Sequence, residues 1–427
     1  MAIKSVACAA LPLLVIASLP TQAITLEQLN TQVQQMNKRI SEQNQKFRIN
    51  GFASFGIVQS DSEDSYHRGI TDQPNFRRYT KAGIQMTFNM SSDTSVITQL
   101  VSRGENEFDT TAEWLYLKHD FGDGFTGKIG RLRKPNYLLS EFFDVGYALP
   151  WTQPPVEVYG VLEESANYEA VDLSYDFEFG DWYGSGQFQY GRAITDTAIS
   201  NDLIAFNGSI SDGELTLRAG YSQAFLTLIE GTTLYNSLYD ATTNPAYGGA
   251  PVPTGLNDVL ALTDLDGETV NGTFKGTFAG LAAMYDNGTI LAIAEYNTLT
   301  LDGFFADQDG YYVMGGYRIG NLMPYVTFAH QETTDDEKRA VSSFNTSPTG
   351  LPAVDTSIIN GFNAGAAAAL NVDQDRTAIG IRWEYQPGIA IKVQYDMVDT
   401  GDTIGEFDSF PTDGKVNFLS FTIDTVF

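Results

Sequence analysis

The chain has 427 residues, of which 53 are Asp or Glu and 25 Lys or Arg, a formal net charge of −28. So acidic a balance argues against a nucleic-acid partner, because phosphate binding needs clustered positive charge. An aromatic share of 12% favours strands over helices, and a single cysteine leaves no disulfide framework to consider.

Residues 1–23 read as a secretory signal peptide. Lys4 supplies the basic start, VACAALPLLVIASL the apolar run, and a cut is expected after Ala23. Cys8 lies inside it, so the exported chain would have no cysteine. No later stretch is apolar for the ~20 residues that a membrane-spanning helix needs.

Residues 24–46 contain no Gly or Pro, and Leu26, Leu29, Val33, Met36 and Ile40 repeat at alternating spacings of three and four. That stripe predicts a short α-helical coiled coil, and hence self-association. A helix lying on the rest of the chain would show the same stripe, but its other faces are too polar to dock.

From Phe47 to Phe427 the apolar period drops to two. Sixteen strands are expected, at 47–58, 78–90, 93–102, 110–120, 124–134, 167–179, 182–192, 201–211, 213–223, 269–286, 288–299, 310–319, 322–331, 374–385, 388–398 and 415–427. Most exceed the about 5–6 residues usual in soluble proteins and suit the ~9–11 of a tilted strand crossing a bilayer. Tight turns such as GDW at 180–182, DNG at 286–288 and GN at 320–321 alternate with longer polar connections, the longest near 135–166, 224–268 and 332–373. In KAGIQMTFNM, Ala82, Ile84, Met86 and Phe88 share one face and Lys81, Gly83, Gln85 and Thr87 the other. A soluble sandwich also alternates, but here the polar faces carry Arg, Lys, Glu and Gln across most strands. The pattern predicts a wet interior and a lipid-facing exterior. Aromatics gather beside the short turns, among them Phe88, Phe179, Trp182, Tyr325 and Trp383, as in a membrane-interface girdle.

The last strand, KVNFLSFTIDTVF, alternates apolar residues up to Phe427. It resembles the C-terminal strand of bacterial outer-membrane proteins, in which a final Phe is read by the barrel-assembly machinery. Sixteen strands, long loops on one edge and a large third loop resemble the trimeric general porins of Gram-negative bacteria, in the variant with an N-terminal periplasmic coiled coil. The resemblance covers residues 47–427 and implies an all-β fold, a 16-stranded antiparallel transmembrane β-barrel with an inward-folded third loop. It further implies a homotrimer in the outer membrane, in contact with lipid and lipopolysaccharide, that passes small hydrophilic solutes by diffusion without a cofactor. The third loop, NYLLSEFFDVGYALPWTQPPVEVYGVLEESA, offers Glu141, Asp144, Trp151 and Glu157 to a constriction, although SEFFDVG matches the family's PEFGG word only in part. In the strand before it, GKIGRLRKP, Arg131 and Arg133 share one face and Lys128 and Lys134 the other. Arg131, Arg133, Lys81 and Arg382 are expected on a basic lumen wall opposite the acidic loop, with Arg48, Arg77, Arg218 and Lys392 as further candidates. Excess acid suggests a mild cation preference.

Four other readings compete. A membrane enzyme would have to use one of three histidines, His67, His119 or His330, and none lies in a nucleophile motif. A substrate-specific channel, for a sugar or another small organic solute, would draw on Phe142, Phe143, Tyr147 and Trp151. The acidic words DLDG at 264–267 and DQDG at 307–310 do not complete a calcium loop, so no metal is expected. Long exterior loops would also serve an adhesin.

Overall fold

A computed structural model describes residues 46–160, 162, 167–195, 198–229, 274–302, 306–335, 356–357, 360 and 371–427. Residues 1–46 and 47–427 form separate units. The expected signal peptide and the heptad stripe, with Leu26, Leu29, Val33, Met36 and Ile40, lie outside the described residues.

The second unit is a ring of sixteen strands: β1 (Phe47–Ser60), β2 (Lys81–Asn89), β3 (Thr94–Arg103), β4 (Thr110–Gly122), β5 (Phe125–Arg133), β6 (Asn167–Phe179), β7 (Trp182–Ile194), β8 (Ala198–Ser211), β9 (Leu215–Leu228), β10 (Phe274–Asp286), β11 (Ile290–Leu301), β12 (Gln308–Tyr317), β13 (Leu322–Thr333), β14 (Asp373–Gln386), β15 (Ile389–Asp399) and β16 (Lys415–Val426). Each is antiparallel to its neighbours, and the ring closes between β1 and β16. Phe427 continues the seam: its N–H donates to the Gly51 carbonyl at 2.9 Å, and the Gly51 N–H returns a bond of 2.7 Å. Closure removes the unpaired edge that an open sheet would present.

Strand number and order follow the sequence pattern, and most boundaries fall close to those expected. The turns explain why. At 286–289, Gly288 has φ +81, which a side chain would disfavour. Its N–H donates to Asp286 Oδ1 at 2.9 Å, and the Ile290 N–H donates to Asn287 Oδ1 at 2.8 Å. Such self-bonded Asx turns fix a hairpin locally.

Along β13, Leu322, Pro324, Val326 and Phe328 are exposed, while Met323, Tyr325, Thr327, Ala329 and Gln331 are buried. Other strands repeat this alternation around the ring. The outer row leaves Phe55, Ile129, Leu281, Phe328 and Ile379 more than half exposed. Such a belt would be costly in water, at ~25 cal/mol per Å² of apolar surface, and suits hydrocarbon. The inner row carries charge: Arg376, Lys392, Asp396 and Asp424 are all buried. Tyr325, expected in the aromatic girdle, belongs to this inner row and donates to Gln394 Oε1 at 2.7 Å.

Candidate functional site

β5 and β6 are joined by a long connection. Its described part holds turns at Ser140–Phe142 and Gly146–Ala148 and a one-turn helix, α1 (Val156–Tyr159). Pro154 and Pro155 stand directly before α1, where fixed φ values prepare the turn.

The connection packs on inner-row residues. Tyr137 meets Phe278 edge-on at 5.3 Å, and Trp151 meets Tyr312 edge-on at 5.4 Å. Trp151 Nε1 donates to Thr327 Oγ1 at 2.8 Å, and Asn297 Nδ2 donates to the Val158 carbonyl at 3.0 Å. The Tyr159 hydroxyl donates to Glu295 Oε2 at 2.8 Å, and the Leu138 N–H to Glu295 Oε1 at 2.9 Å. Lys392 Nζ donates to the carbonyls of Gly146 at 2.6 Å and Trp151 at 2.8 Å. Arg382 Nη1 donates to the Leu149 carbonyl at 2.6 Å. Gly310 is as small as it must be, because a Cβ there would lie 2.2 Å from the Glu157 carbonyl oxygen.

The four acidic and aromatic residues of this connection differ in setting. Glu141 is exposed. Asp144 is buried and accepts from Arg103 Nε at 2.9 Å, Arg103 Nη2 at 2.7 Å and Arg133 Nη2 at 2.7 Å. Burial alone would raise its carboxyl, but Arg133 and Arg103 outweigh it and hold the group well below the usual carboxylate range. Trp151 is buried. Glu157 is fully buried, accepts from Gln374 Nε2 at 2.7 Å and lies 3.8 Å from Arg376 Nη1. Here burial prevails over the pull of Arg376 and raises the carboxyl.

The basic residues also separate. Lys81 lies on the inner row and donates to the Phe143 carbonyl at 3.3 Å. Arg133 is the last residue of β5 and also donates to the Ser140 carbonyl at 3.2 Å. Arg382 is committed to Leu149 and to Glu384. Arg131 departs from its expected place. It sits opposite Leu115 and Glu169, in the row of Phe125 and Ile129, which is the outer row. It pairs with half-exposed Glu169 at 2.8 Å. Lys128, on the alternate register, lies inward, 3.9 Å from buried Asp172. The two arginines share parity within β5, but only Arg133, at its end, reaches the buried carboxylates of Glu113 and Asp144. Arg77 is also outside the ring wall, exposed between β1 and β2 and paired with Glu107 at 2.6 Å.

Sequence reasoning missed Arg103, Glu113, Glu295 and Arg376. Glu295 was detectable, as the lone carboxylate in ILAIAEYN. Glu113 was not, because it occupies a register shift between β3 and β4 that inverts local parity. It accepts from Arg103 Nη1 at 2.6 Å and Arg133 Nη2 at 3.0 Å.

A second inner cluster ties the β1–β2 connection to the β15–β16 connection. His67 Nδ1 lies 3.0 Å from Glu406 Oε2, and Gln374 Nε2 donates to the Tyr66 hydroxyl at 3.0 Å as well as to Glu157.

No family model matches the chain, and no curated protein matches it significantly. Solved structures do resemble it. OmpF of Salmonella typhi in complex with daunomycin superposes with TM-score 0.55 at 13% identity, over 89% of this chain and 97% of that one. OmpT of Vibrio cholerae, an outer membrane protein, in its trimer form gives 0.51 at 12%, over 89% and 99%. The anion-selective porin of Comamonas acidovorans gives 0.51 at 12%, over 89% and 99%. At such identities the likeness is one of fold.

Proposed function

We propose that the chain is an outer-membrane channel that passes small hydrophilic solutes and ions down their gradients, with no chemical step and a mild cation preference. One observation carries the reading: a closed ring of sixteen strands with an apolar outer row and a charged inner row. Eight strands would fill their own bore, whereas sixteen enclose water.

In this reading the β5–β6 connection folds into the bore and narrows it. Its many bonds to the inner row of β11–β16 support that path. Asp144, Trp151, Glu157, Lys81, Arg133 and Arg382 then act as fasteners. Solutes pass on the side of β4–β9, between exposed Glu141 and an inner row that includes Lys128, Gln187 and Arg218. Arg131 and Glu169 meet the outer leaflet, where lipopolysaccharide lies. The neighbouring folds include an anion-selective porin, so the architecture does not fix the sign of selectivity; the exposed Glu141 argues for cations here.

Export after loss of residues 1–23, trimerisation through Leu26, Leu29, Val33, Met36 and Ile40, and insertion by machinery that reads Phe427 complete the proposal. The trimer form of OmpT supports self-association. Purified protein in a planar bilayer is expected to give stepwise conductance in KCl and to admit small neutral sugars. A tight membrane at every protein concentration would overturn the reading.

A further inference from the structure

Beneath the β5–β6 connection, towards the short turns, a cavity of about 220 Å³ separates it from the inner row of β10–β14. Its floor is aliphatic, formed by Leu139, Pro150, Met284, Leu291, Ile293 and Met323. Its rim carries two ion pairs. Arg318 donates to both Asp286 oxygens, at 2.5 and 2.8 Å, and Arg382 Nε donates to Glu384 Oε1 at 2.7 Å. The side chains of Arg318, Asp286 and Glu384 are 32%, 36% and 40% exposed, so a solute can reach them.

This combination is selective. The space exceeds the ~150 Å³ that admits a benzene ring, so it takes a branched or aromatic side chain. The rim is neutral in sum but alternates in sign. A simple anion meets a carboxylate beside each guanidinium, and a simple cation the reverse. A zwitterion offers both signs a few ångströms apart and joins the row without adding charge. We infer that this cavity is a holding site for α-amino acids with apolar side chains, at the short-turn mouth of the bore. The inference rests on the channel reading for its role, although binding itself does not require conduction.

Saturation-transfer NMR on the detergent-folded protein, with L-leucine as probe and glycine, isovalerate and isoamylamine as comparisons, tests it directly. Leucine should receive magnetisation at its methyl groups and compete with L-phenylalanine. It should bind at least about tenfold more tightly than glycine, which lacks the apolar body. Ala148→Phe, which fills the mouth, should abolish the signal. Arg318→Gln leaves the rim net negative and should turn the preference towards isoamylamine, a change that simple loosening of the structure would not produce. Equal binding of leucine and glycine, or a leucine signal unchanged by both variants, overturns the inference. Bilayer conductance is read separately: a conducting protein that ignores leucine refutes the site alone, and a binding but non-conducting protein refutes the channel alone.

Discussion

Trp151 offers the sharpest test of how the β5–β6 connection is held. It is 1% exposed, packs edge-on against Tyr312 and donates to Thr327. Truncating a buried Trp to Ala removes its apolar area and leaves a cavity, a cost of about 3–5 kcal/mol. The sixteen-strand ladder does not depend on this side chain, so the loss falls on docking of the connection to the wall. At 1.36 kcal/mol per decade, the undocked population should rise roughly a hundredfold or more. Trp151→Phe keeps most of the area and forfeits the bond to Thr327, worth about 1 kcal/mol, or roughly fivefold. Single-channel recording should therefore show open-channel noise increasing from wild type to Trp151→Phe to Trp151→Ala, with mean conductance shifting in the last. Wild-type noise and conductance in Trp151→Ala, in protein shown to be folded, would refute the assignment of Trp151 as an anchor.

Gly310→Val drives a rigid backbone contact apart, because a Cβ would stand 2.2 Å from the Glu157 carbonyl oxygen. It should reproduce the noise of Trp151→Ala while leaving Trp151 in place, again by single-channel recording. Glu141→Gln should lower cation preference; one unit charge at 4 Å in water is worth about 1 kcal/mol, or up to roughly fivefold in permeability ratio, read as a reversal potential across a KCl gradient. Glu406 sits outside the strands, and burial raises its carboxyl to about 7, with Arg68 opposing and Asp408 reinforcing. A raised carboxyl favours the closed arrangement when protonated. Contact between the β1–β2 and β15–β16 connections should thus be strongest below the unfolded value of about 4.5 and weaken by up to about 3 kcal/mol as pH rises to 7 and above. Amide exchange in residues 61–80 and 400–414, corrected for intrinsic rates, measures it, and Glu406→Gln should abolish the dependence. Deleting Phe427 removes two seam hydrogen bonds to Gly51, about 1–3 kcal/mol. Refolding in detergent should survive it, while the yield of barrel in the membrane falls far more, as gel mobility of folded and unfolded bands will show.

Strand number, strand order and the identity of most faces were legible in the sequence. These are local properties. A pleated backbone sends alternate side chains to opposite sides, so KAGIQMTFNM declares its faces without reference to any distant residue. Turns such as DNG bond to themselves and carry their own geometry. What the sequence left open was the meaning of individual charges. Asp144 and Glu157 read as free acids of a constriction, yet their partners, Arg103 and Gln374, stand 41 and 217 positions away. Arg131 and Arg133 look equivalent in GRLR, yet Arg131 pairs with half-exposed Glu169 and Arg133 with buried Glu113 and Asp144. Tyr325 reads as a girdle aromatic, but the β12–β14 register turns it to Gln394. Burial and charge pairing arise only when the ring has closed and the connection has found its wall, because both depend on groups that chain proximity does not bring together.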